Sequence, residues 1–253
     1  MYKPAISSPM QHNPFGFAAL PGFVERQFLE YRLDQRTIAI HLLDFDIAQF
    51  DVSAFSAAAI ALPPAIAASV VKRQAEYFYG RLAARLALEH AGLPLRDIGT
   101  GAQREPLWPA GAVASITHNS RRAAAAALAC GECRGIGIDV ESVATPEQQE
   151  SIACSALDGA ELRLVAEYAG TLPRSVLLTL VFSAKESFYK AVHADVGRFF
   201  GFDALRLAAV DCPGGRLVFT VAEQLSGQWQ RGSVCAVHFR MLADGDCLTA
   251  FAW

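Results

Sequence analysis

The segment Arg134-Gly135-Ile136-Gly137-Ile138-Asp139-Val140-Glu141 (residues 134–141) decides the fold most directly. Its branched apolar residues alternate with glycine and acidic residues, which is the period-two pattern of a β-strand. Asp139 and Glu141 share one face of this strand. Two acids flanked by apolar residues are costly to bury unless a partner meets them. The segment therefore predicts a strand that carries a polar site.

A third acid lies on a helix predicted over residues 174–193. The apolar residues of this helix recur at helical spacing and predict a buried stripe: Val181, Ala184, Phe188, Ala191 and Val192. Glu186 and Lys190 belong to another face, together with Tyr189 and His193. The helix therefore brings an acid and a base, one turn apart, to a face that is not part of the stripe.

Two interpretations of these acids are open. Hard divalent cations such as Mg²⁺ prefer oxygen ligands and often take one to three carboxylates, so Asp139, Glu141 and Glu186 would supply a metal site. Alternatively, Glu186 and Lys190 form an ordinary exposed i,i+4 ion pair, which contributes about 0.3–0.5 kcal/mol. The strand pair favours the metal site, because an exposed ion pair does not explain Asp139 and Glu141.

The first half of the chain predicts a helix over residues 69–91 followed by strands over 113–117 and 123–129. Four residues at helical spacing would face the core: Ala75, Phe78, Leu82 and Leu86. Gly80, inside this helix, costs about 1 kcal/mol relative to alanine. It indicates a close neighbour, which is a strand, another helix or a ligand.

Several cations could bind phosphate, and arginine forks suit phosphate oxygens. The candidates are Arg73, Arg81, Arg104, His118, Lys185 and Lys190. Arg104 lies in a proline-rich loop, and the Thr117 hydroxyl is adjacent to His118 in sequence. Each alone is weak, since a single histidine or surface arginine is common in proteins without such a site.

The remaining patterns complete an α+β architecture with largely antiparallel sheets. A capping box at residues 158–161 begins another helix, and strands are predicted over 205–210, 216–221, 233–241 and 247–253. Two halves of similar plan result, 1–132 and 133–253, each with a helix flanked by strands.

Composition excludes several classes of protein. The chain has 253 residues, 53% of them hydrophobic and 19% charged, which is a globular composition. The net charge of −3 argues against a nucleic-acid binder. The longest apolar stretches fall short of the roughly 20 residues of a membrane span, and residues 1–11 do not read as a secretory signal. We therefore expect a cytoplasmic protein.

Six cysteines are expected to be reduced thiols in that compartment. Cys130 and Cys133 form a CxxC pair, but neither a second CxxC nor an HxxxH accompanies it. A closed zinc site needs four ligands, so a metal or redox role for this pair is disfavoured.

Two segments in this order resemble the large, pseudo-dimeric class of 4'-phosphopantetheinyl transferases, closest to the branch of enterobactin synthase component D. The segments are Gly137-Ile138-Asp139-Val140-Glu141 and Phe182-Ser183-Ala184-Lys185-Glu186-Ser187-Phe188-Tyr189-Lys190. The family writes them as GxDxE and (W/F)xxKE(S/A)xxK. Upstream, residues 72–81, 104–109 and 115–119 also fit, so the resemblance covers roughly residues 70–195.

The resemblance implies a fold of two similar α/β halves with coenzyme A, the co-substrate, in the cleft between them. Asp139, Glu141 and Glu186 would hold Mg²⁺. Glu186 would also act as the base for a serine hydroxyl of an apo acyl or peptidyl carrier protein, and Lys190 would stabilise charge on the pyrophosphate. The serine then attacks the β-phosphate, and 3',5'-ADP leaves.

The resemblance also assigns the 3'-phosphoadenosine end of coenzyme A to the N-terminal half. Arg104, Thr117 and His118 match its contact positions, Arg73 and Arg81 would assist, and Lys185 would join the phosphate contacts from the C-terminal half. Thr117 and Asn119 stand where serine is common, and Ser142 replaces a frequent lysine or arginine. The expected enzyme is a monomer whose carriers belong to fatty acid, polyketide or nonribosomal peptide and siderophore synthesis.

Three other functions remain open on the same residues. A coenzyme A-dependent acyltransferase would need no metal, which the acids count against. A non-enzymatic module that binds carrier protein or nucleotide would tolerate loss of Glu186. A Mg²⁺-dependent phosphatase would release inorganic phosphate and modify no protein.

Overall fold

The computed structural model describes residues 17–33, 36–102 and 105–253. The chain divides into two compact units, Met1–Arg134 and Gly135–Trp253, a division two residues later than the one predicted from sequence. Within the described residues, no helix is both long enough and apolar enough to cross a membrane. All six cysteines are free thiols.

The first unit holds an antiparallel four-stranded sheet covered by one long helix. Its elements are β1 (Phe23–Leu33), β2 (Arg36–Phe45), α1 (Ser53–Ala57), α2 (Pro64–Ala67), α3 (Val71–His90), β3 (Gly99–Thr100), β4 (Pro106–Leu107), β5 (Ala112–His118) and β6 (Arg122–Ala129). The sheet order is β1-β2-β6-β5, and β3 pairs separately with β4. The predicted helix and the two predicted strands are confirmed as α3, β5 and β6, whereas β1 and β2 had no sequence prediction.

Helix α3 packs its apolar residues against this sheet. The four residues predicted to face the core are all buried, and Gly80 is buried as well. A Cβ at Gly80 would lie 3.2 Å from Cγ2 of Ile116 on β5. The glycine therefore allows helix-on-strand packing, which is the first of the three neighbours that the sequence left open.

The second unit holds an antiparallel five-stranded sheet. Its elements are β7 (Ile136–Glu141), α4 (Pro146–Ala156), α5 (Gly159–Tyr168), α6 (Arg174–Val196), β8 (Leu205–Asp211), β9 (Arg216–Val221), β10 (Val234–Met241) and β11 (Cys247–Ala252). The sheet order is β7-β11-β10-β9-β8. The predicted strands and the helix α6 are confirmed, and so is the capping box of Asp158 and Glu161 at the start of α5. The α+β fold class therefore holds for the described residues.

Two glycines let α6 lie against β7. Gly135 and Gly137 share the strand face of Asp139 and Glu141, since alternate residues point to the same side. A Cβ at Gly137 would meet the Ser187 carbonyl oxygen far inside 3.0 Å, and one at Gly135 would meet the Ala191 carbonyl in the same way. The glycines thus bring the backbone of α6 next to the strand that carries the acids.

This close approach predicts a large effect of Gly137→Ala. The added methyl has no space against the backbone of α6, so strand and helix must separate at a cost of about 1–3 kcal/mol or more. Thermal unfolding measures this loss. Gly170→Ala is the matched control, because a Cβ there meets no atom within 4 Å. Equal melting temperatures for the two variants would contradict the packing described here.

Candidate active site

Asp139 and Glu141 lie on β7 beneath α6, as the pleat of the strand requires. Asp139 is 3% exposed, and Glu141 at the end of the strand is partly buried. β7 pairs with β11, so that Thr249 lies opposite Asp139 and Cys247 lies opposite Glu141. The strand therefore directs two acids towards the helix, where they have little contact with water.

Lys190 of α6 pairs with Asp139. Its Nζ lies 2.6 Å from Oδ1 of Asp139 and donates also to the Ile138 carbonyl at 3.3 Å. The ion pair is mostly buried, with 26% of the lysine side chain and 5% of the aspartate side chain exposed. Lys190 thus crosses from helix to strand, which the exposed-pair interpretation of Glu186 and Lys190 did not anticipate.

The carboxylates of this site influence one another. The pKa of Glu141 is raised to about 8, chiefly by burial and next by the charge of Asp139, while Lys190 opposes the rise. Burial also raises the pKa of Glu186, with Lys190 again opposing and Asp139 adding. The three acids are therefore close enough to repel one another, and the structure brings together the residues that sequence predicted as metal ligands.

The three carboxylates are chemically suited to a hard divalent cation, but their side chains are not preorganised to coordinate one. Carboxylate oxygens are the ligands that Mg²⁺ prefers, and a cation would relieve the repulsion that, after burial, raises the pKa of Glu141. Yet among the described side chains no three metal-ligating groups stand in a coordinating arrangement. Lys190 would have to release Asp139 for the ion to bind.

The pKa of Glu141 predicts how pH affects the metal-free protein. Between 4.5, the ordinary value, and about 8, the folded chain holds this proton more tightly than the unfolded chain. Stability therefore falls as pH rises through this window. Thermal unfolding in EDTA should show the wild type losing stability relative to Glu141→Gln, whose side chain stays neutral. A difference between the two proteins that does not change with pH would contradict this placement of Glu141.

If Mg²⁺ binds the deprotonated carboxylates of the folded state, as the sequence predicts, added Mg²⁺ should reverse that loss. The gain in melting temperature should grow with pH and be smaller in Glu141→Gln. An equal gain in both proteins would mean that the ion binds elsewhere.

Asp246 is an acid of this site that the sequence did not reveal. It is 1% exposed, accepts a hydrogen bond from the Ser142 hydroxyl at 2.9 Å, and its charge contributes to the raised pKa of Glu141. It lies in the turn between β10 and β11, more than 100 residues from Glu141. Only the pairing of β11 with β7 brings it here, and nothing local in the sequence signals that pairing.

Lys185 points away from the acids of β7. Its Nζ lies 2.8 Å from Oε1 of Glu161 and donates to the carbonyls of Ala156 at 2.7 Å and Phe202 at 3.2 Å. An ammonium has three N–H donors, and these three acceptors match them. Burial lowers its pKa, and Glu161 opposes that shift. The predicted phosphate contact of Lys185 therefore finds no support in the geometry.

An apolar cavity of about 170 Å³ adjoins Glu186. It is lined by Lys185, Glu186, Phe188, Tyr189, Phe199, Phe200, Gly201, Phe202 and Leu205. Phe199 is 74% exposed, which is unusual for an aromatic side chain. The sequence signal for this cavity is the run of aromatic residues just after α6, which the motif analysis passed over.

In the first unit, the structure brings His118 and Arg73 together. The side chains meet through Nη1 of Arg73 and Nε2 of His118 at 3.1 Å. Oε2 of Glu76 lies 3.7 Å from Nη1 of Arg73 and 3.8 Å from Nδ1 of His118. Arg73 and His118, two of the side chains predicted to bind phosphate, thus share one acid, Glu76, which sequence analysis did not identify.

The other predicted contacts of this unit lie elsewhere. Thr117 is buried on the opposite face of β5 from His118, as adjacent strand residues must be. Arg81 donates to the Ile98 and Gly99 carbonyls and to the Thr100 hydroxyl, so it holds that loop. Arg104 lies outside the described residues.

Comparison with known proteins gives one consistent result. Residues 62–128 match the family model of the 4'-phosphopantetheinyl transferase N-terminal domain, and residues 135–239 match that of the 4'-phosphopantetheinyl transferase superfamily. The enterobactin synthase component D of Salmonella typhi is 34% identical over 174 residues, which cover 68% of this chain and 69% of that protein.

Two further comparisons differ in strength. The 4'-phosphopantetheinyl transferase Npt of Nocardia iowensis is 34% identical over 197 residues, covering 74% of this chain and 86% of that protein. A crystal structure of the Thermotoga maritima holo-[acyl-carrier-protein] synthase covers 47% of this chain and 62% of that one, at 21% identity and a TM-score of 0.35. That score is too low to support an argument about the fold.

Proposed function

The chain belongs to the 4'-phosphopantetheinyl transferase superfamily and is an enzyme of that type, and from this we propose how its residues carry out the transfer. The enzyme moves the phosphopantetheine arm of coenzyme A to the serine hydroxyl of an apo acyl or peptidyl carrier protein. The serine oxygen forms a bond to the β-phosphorus, the bond from that phosphorus to the bridging oxygen breaks, and 3',5'-ADP leaves. The observation that carries the proposal is the meeting of Asp139, Glu141, Glu186 and Lys190 at the interface of β7 and α6.

Asp139, Glu141 and Glu186 are the residues that would hold Mg²⁺. A bound Mg²⁺ supplies Lewis-acid stabilisation of charge on the pyrophosphate. Asp246 would support this set from the neighbouring turn, through its hydrogen bond with Ser142.

Glu186 takes the proton of the attacking serine, directly or through a water molecule. Its raised pKa suits this role, because a general base works best when its pKa lies nearer the working pH than that of a free carboxylate. Lys190, once released from Asp139, is close enough to the acids to stabilise charge that develops on the pyrophosphate. The lysine therefore neutralises Asp139 in the resting protein and the phosphates during the reaction.

The two ends of coenzyme A have different requirements. The cavity beside Glu186 suits the uncharged pantetheine arm, because aromatic side chains form most of its wall. His118 and Arg73 suit the 3'-phosphate, because both can donate to its oxygens. In this assignment Lys185 and Arg81 have structural roles.

Identification of the released nucleotide tests the reaction. The protein is incubated with coenzyme A, Mg²⁺ and an apo carrier protein, and the products are separated by chromatography. We expect 3',5'-ADP, formed only when the carrier is present and EDTA is absent. Inorganic phosphate in its place would indicate a phosphatase. Acyl transfer from an acyl-coenzyme A that EDTA leaves intact would indicate an acyltransferase, and either result would contradict the proposal.

A further inference from the structure

Glu76 has an unexpected charge for its position. It lies on α3 with 11% of its side chain exposed, and its carboxylate faces two cations, Lys72 at 3.9 Å and Arg73 at 3.7 Å, and the imidazole of His118 at 3.8 Å. The exposed fractions of the Arg73 and His118 side chains are 43% and 31%. The acid is therefore more buried than Arg73 and His118, the two side chains that contact phosphate in the proposed function. A carboxylate next to a phosphate site repels the phosphate, so its presence there calls for another role.

The geometry defines the hydrogen-bonding state of His118. Arginine has only donors, so Nε2 of His118 accepts from Arg73 across the 3.1 Å between them. A neutral imidazole then carries its proton on Nδ1, the atom that faces Glu76. The carboxylate thus favours one tautomer and one ring orientation, with Nε2 directed at the arginine side of the cluster.

The same arrangement can respond to an anion. A phosphate oxygen that takes the donor of Arg73 frees Nε2 of His118 to be protonated and to donate to the phosphate as well. Glu76, behind the ring, stabilises the resulting imidazolium. Without the acid, Lys72, Arg73 and a charged His118 would repel one another.

We propose that Glu76 is a positioning residue that orients His118 and Arg73 towards the 3'-phosphate of coenzyme A. It touches neither the substrate nor the reacting atoms, and it makes the enzyme selective for coenzyme A over 3'-dephospho-coenzyme A. The inference rests on the proposed function, because that function assigns the 3'-phosphate to His118 and Arg73.

The direction in which the preference for coenzyme A changes distinguishes a positioning role of Glu76 from a simple effect of its charge. Glu76→Gln removes a negative charge and keeps the size of the side chain. If Glu76 were only a nearby charge, its removal would strengthen binding of the phosphate. If it positions the two cations, its removal weakens the use of coenzyme A and leaves 3'-dephospho-coenzyme A unaffected.

The experiment measures kcat/KM of the full-length protein for both substrates with one apo carrier protein. Glu76→Gln is expected to lower the preference for coenzyme A roughly tenfold, as loss of an outer partner of a ligand commonly does. In a His118→Ala background the same substitution should have no further effect on the preference. Glu89→Gln is the matched control, since it removes the same charge from an exposed site on the same helix, about 20 Å away. We expect it to keep the wild-type preference.

Several outcomes would overturn the inference. The preference for coenzyme A could rise or stay unchanged in Glu76→Gln, or the effects of Glu76→Gln and His118→Ala could add. If the wild type uses both substrates equally, the inferred contact with the 3'-phosphate is wrong, although the transfer reaction itself still stands. Absence of transfer with either substrate would instead overturn the proposed function.

Discussion

Glu186→Gln is expected to lower the rate of phosphopantetheine transfer by roughly 10²–10⁴-fold, the range associated with loss of a general base. The amide keeps the shape of the side chain but neither takes the serine proton nor offers a charged oxygen to Mg²⁺. Single-turnover measurements with saturating coenzyme A and carrier protein isolate the chemical step. The folded state should survive, because burial disfavours the charged form of Glu186 in the wild type.

The control for this variant is Glu167→Gln, which removes the same charge from an exposed position on α5. Its single-turnover rate should match that of the wild type. A Glu186→Gln protein that transfers the arm at the wild-type rate would assign both the base and the metal contact to another residue. It would leave the family membership untouched and contradict the mechanism.

Lys185→Met should have the largest effect on stability, with a loss of about 3–5 kcal/mol in the free energy of unfolding. The substitution removes the cation that pairs with the Glu161 carboxylate. Glu161 stays buried, because it also accepts hydrogen bonds from the backbone N–H groups of Leu207 and Asp158. For a chain of this length, each kcal/mol corresponds to about 2–4 °C in melting temperature. The affinity of the folded variant for coenzyme A should change little, because the Lys185 ammonium is held by Glu161 and two carbonyls and Met keeps an apolar wall on the cavity.

A double variant tests the cause of that loss. Adding Glu161→Gln to Lys185→Met removes the unpaired charge, so part of the stability should return. If Lys185→Met instead keeps the wild-type melting temperature and loses affinity for coenzyme A, Lys185 contacts phosphate. That result would restore the assignment from the family resemblance and contradict the structural role described here.

The elements that could be predicted from sequence are those with a clear period. Helix α6 has a regular buried stripe, and β7 alternates without interruption. Strand β1 gave no signal because its sequence, FVERQFLEYRL, mixes charged and apolar residues on both faces, and its burial alternates only over the last four residues. Helix α4 was missed for a related reason: only Ala156 of its residues is fully buried, so it has no apolar stripe to detect.

The candidate site was predictable only as far as its residues are close in sequence or belong to one motif. Asp139, Glu141 and Glu186 were found in this way, and the structure places them together. Glu161, the partner of Lys185, is on α5, and Asp246, whose charge helps to raise the pKa of Glu141, is in a distant turn, so neither could be read from local spacing. Side-chain pairing across elements depends on packing, which a single sequence does not specify.

Intact-mass spectrometry of an apo carrier protein is the most direct test of the central claim. The carrier is incubated with this protein, coenzyme A and Mg²⁺, beside reactions with EDTA and with Glu186→Gln. We predict a gain equal to one phosphopantetheine arm on the wild-type carrier, no gain with EDTA, and a strongly delayed gain with the variant. If several unrelated carriers gain no mass from a folded protein that binds coenzyme A, the chain does not catalyse this transfer and the account is wrong.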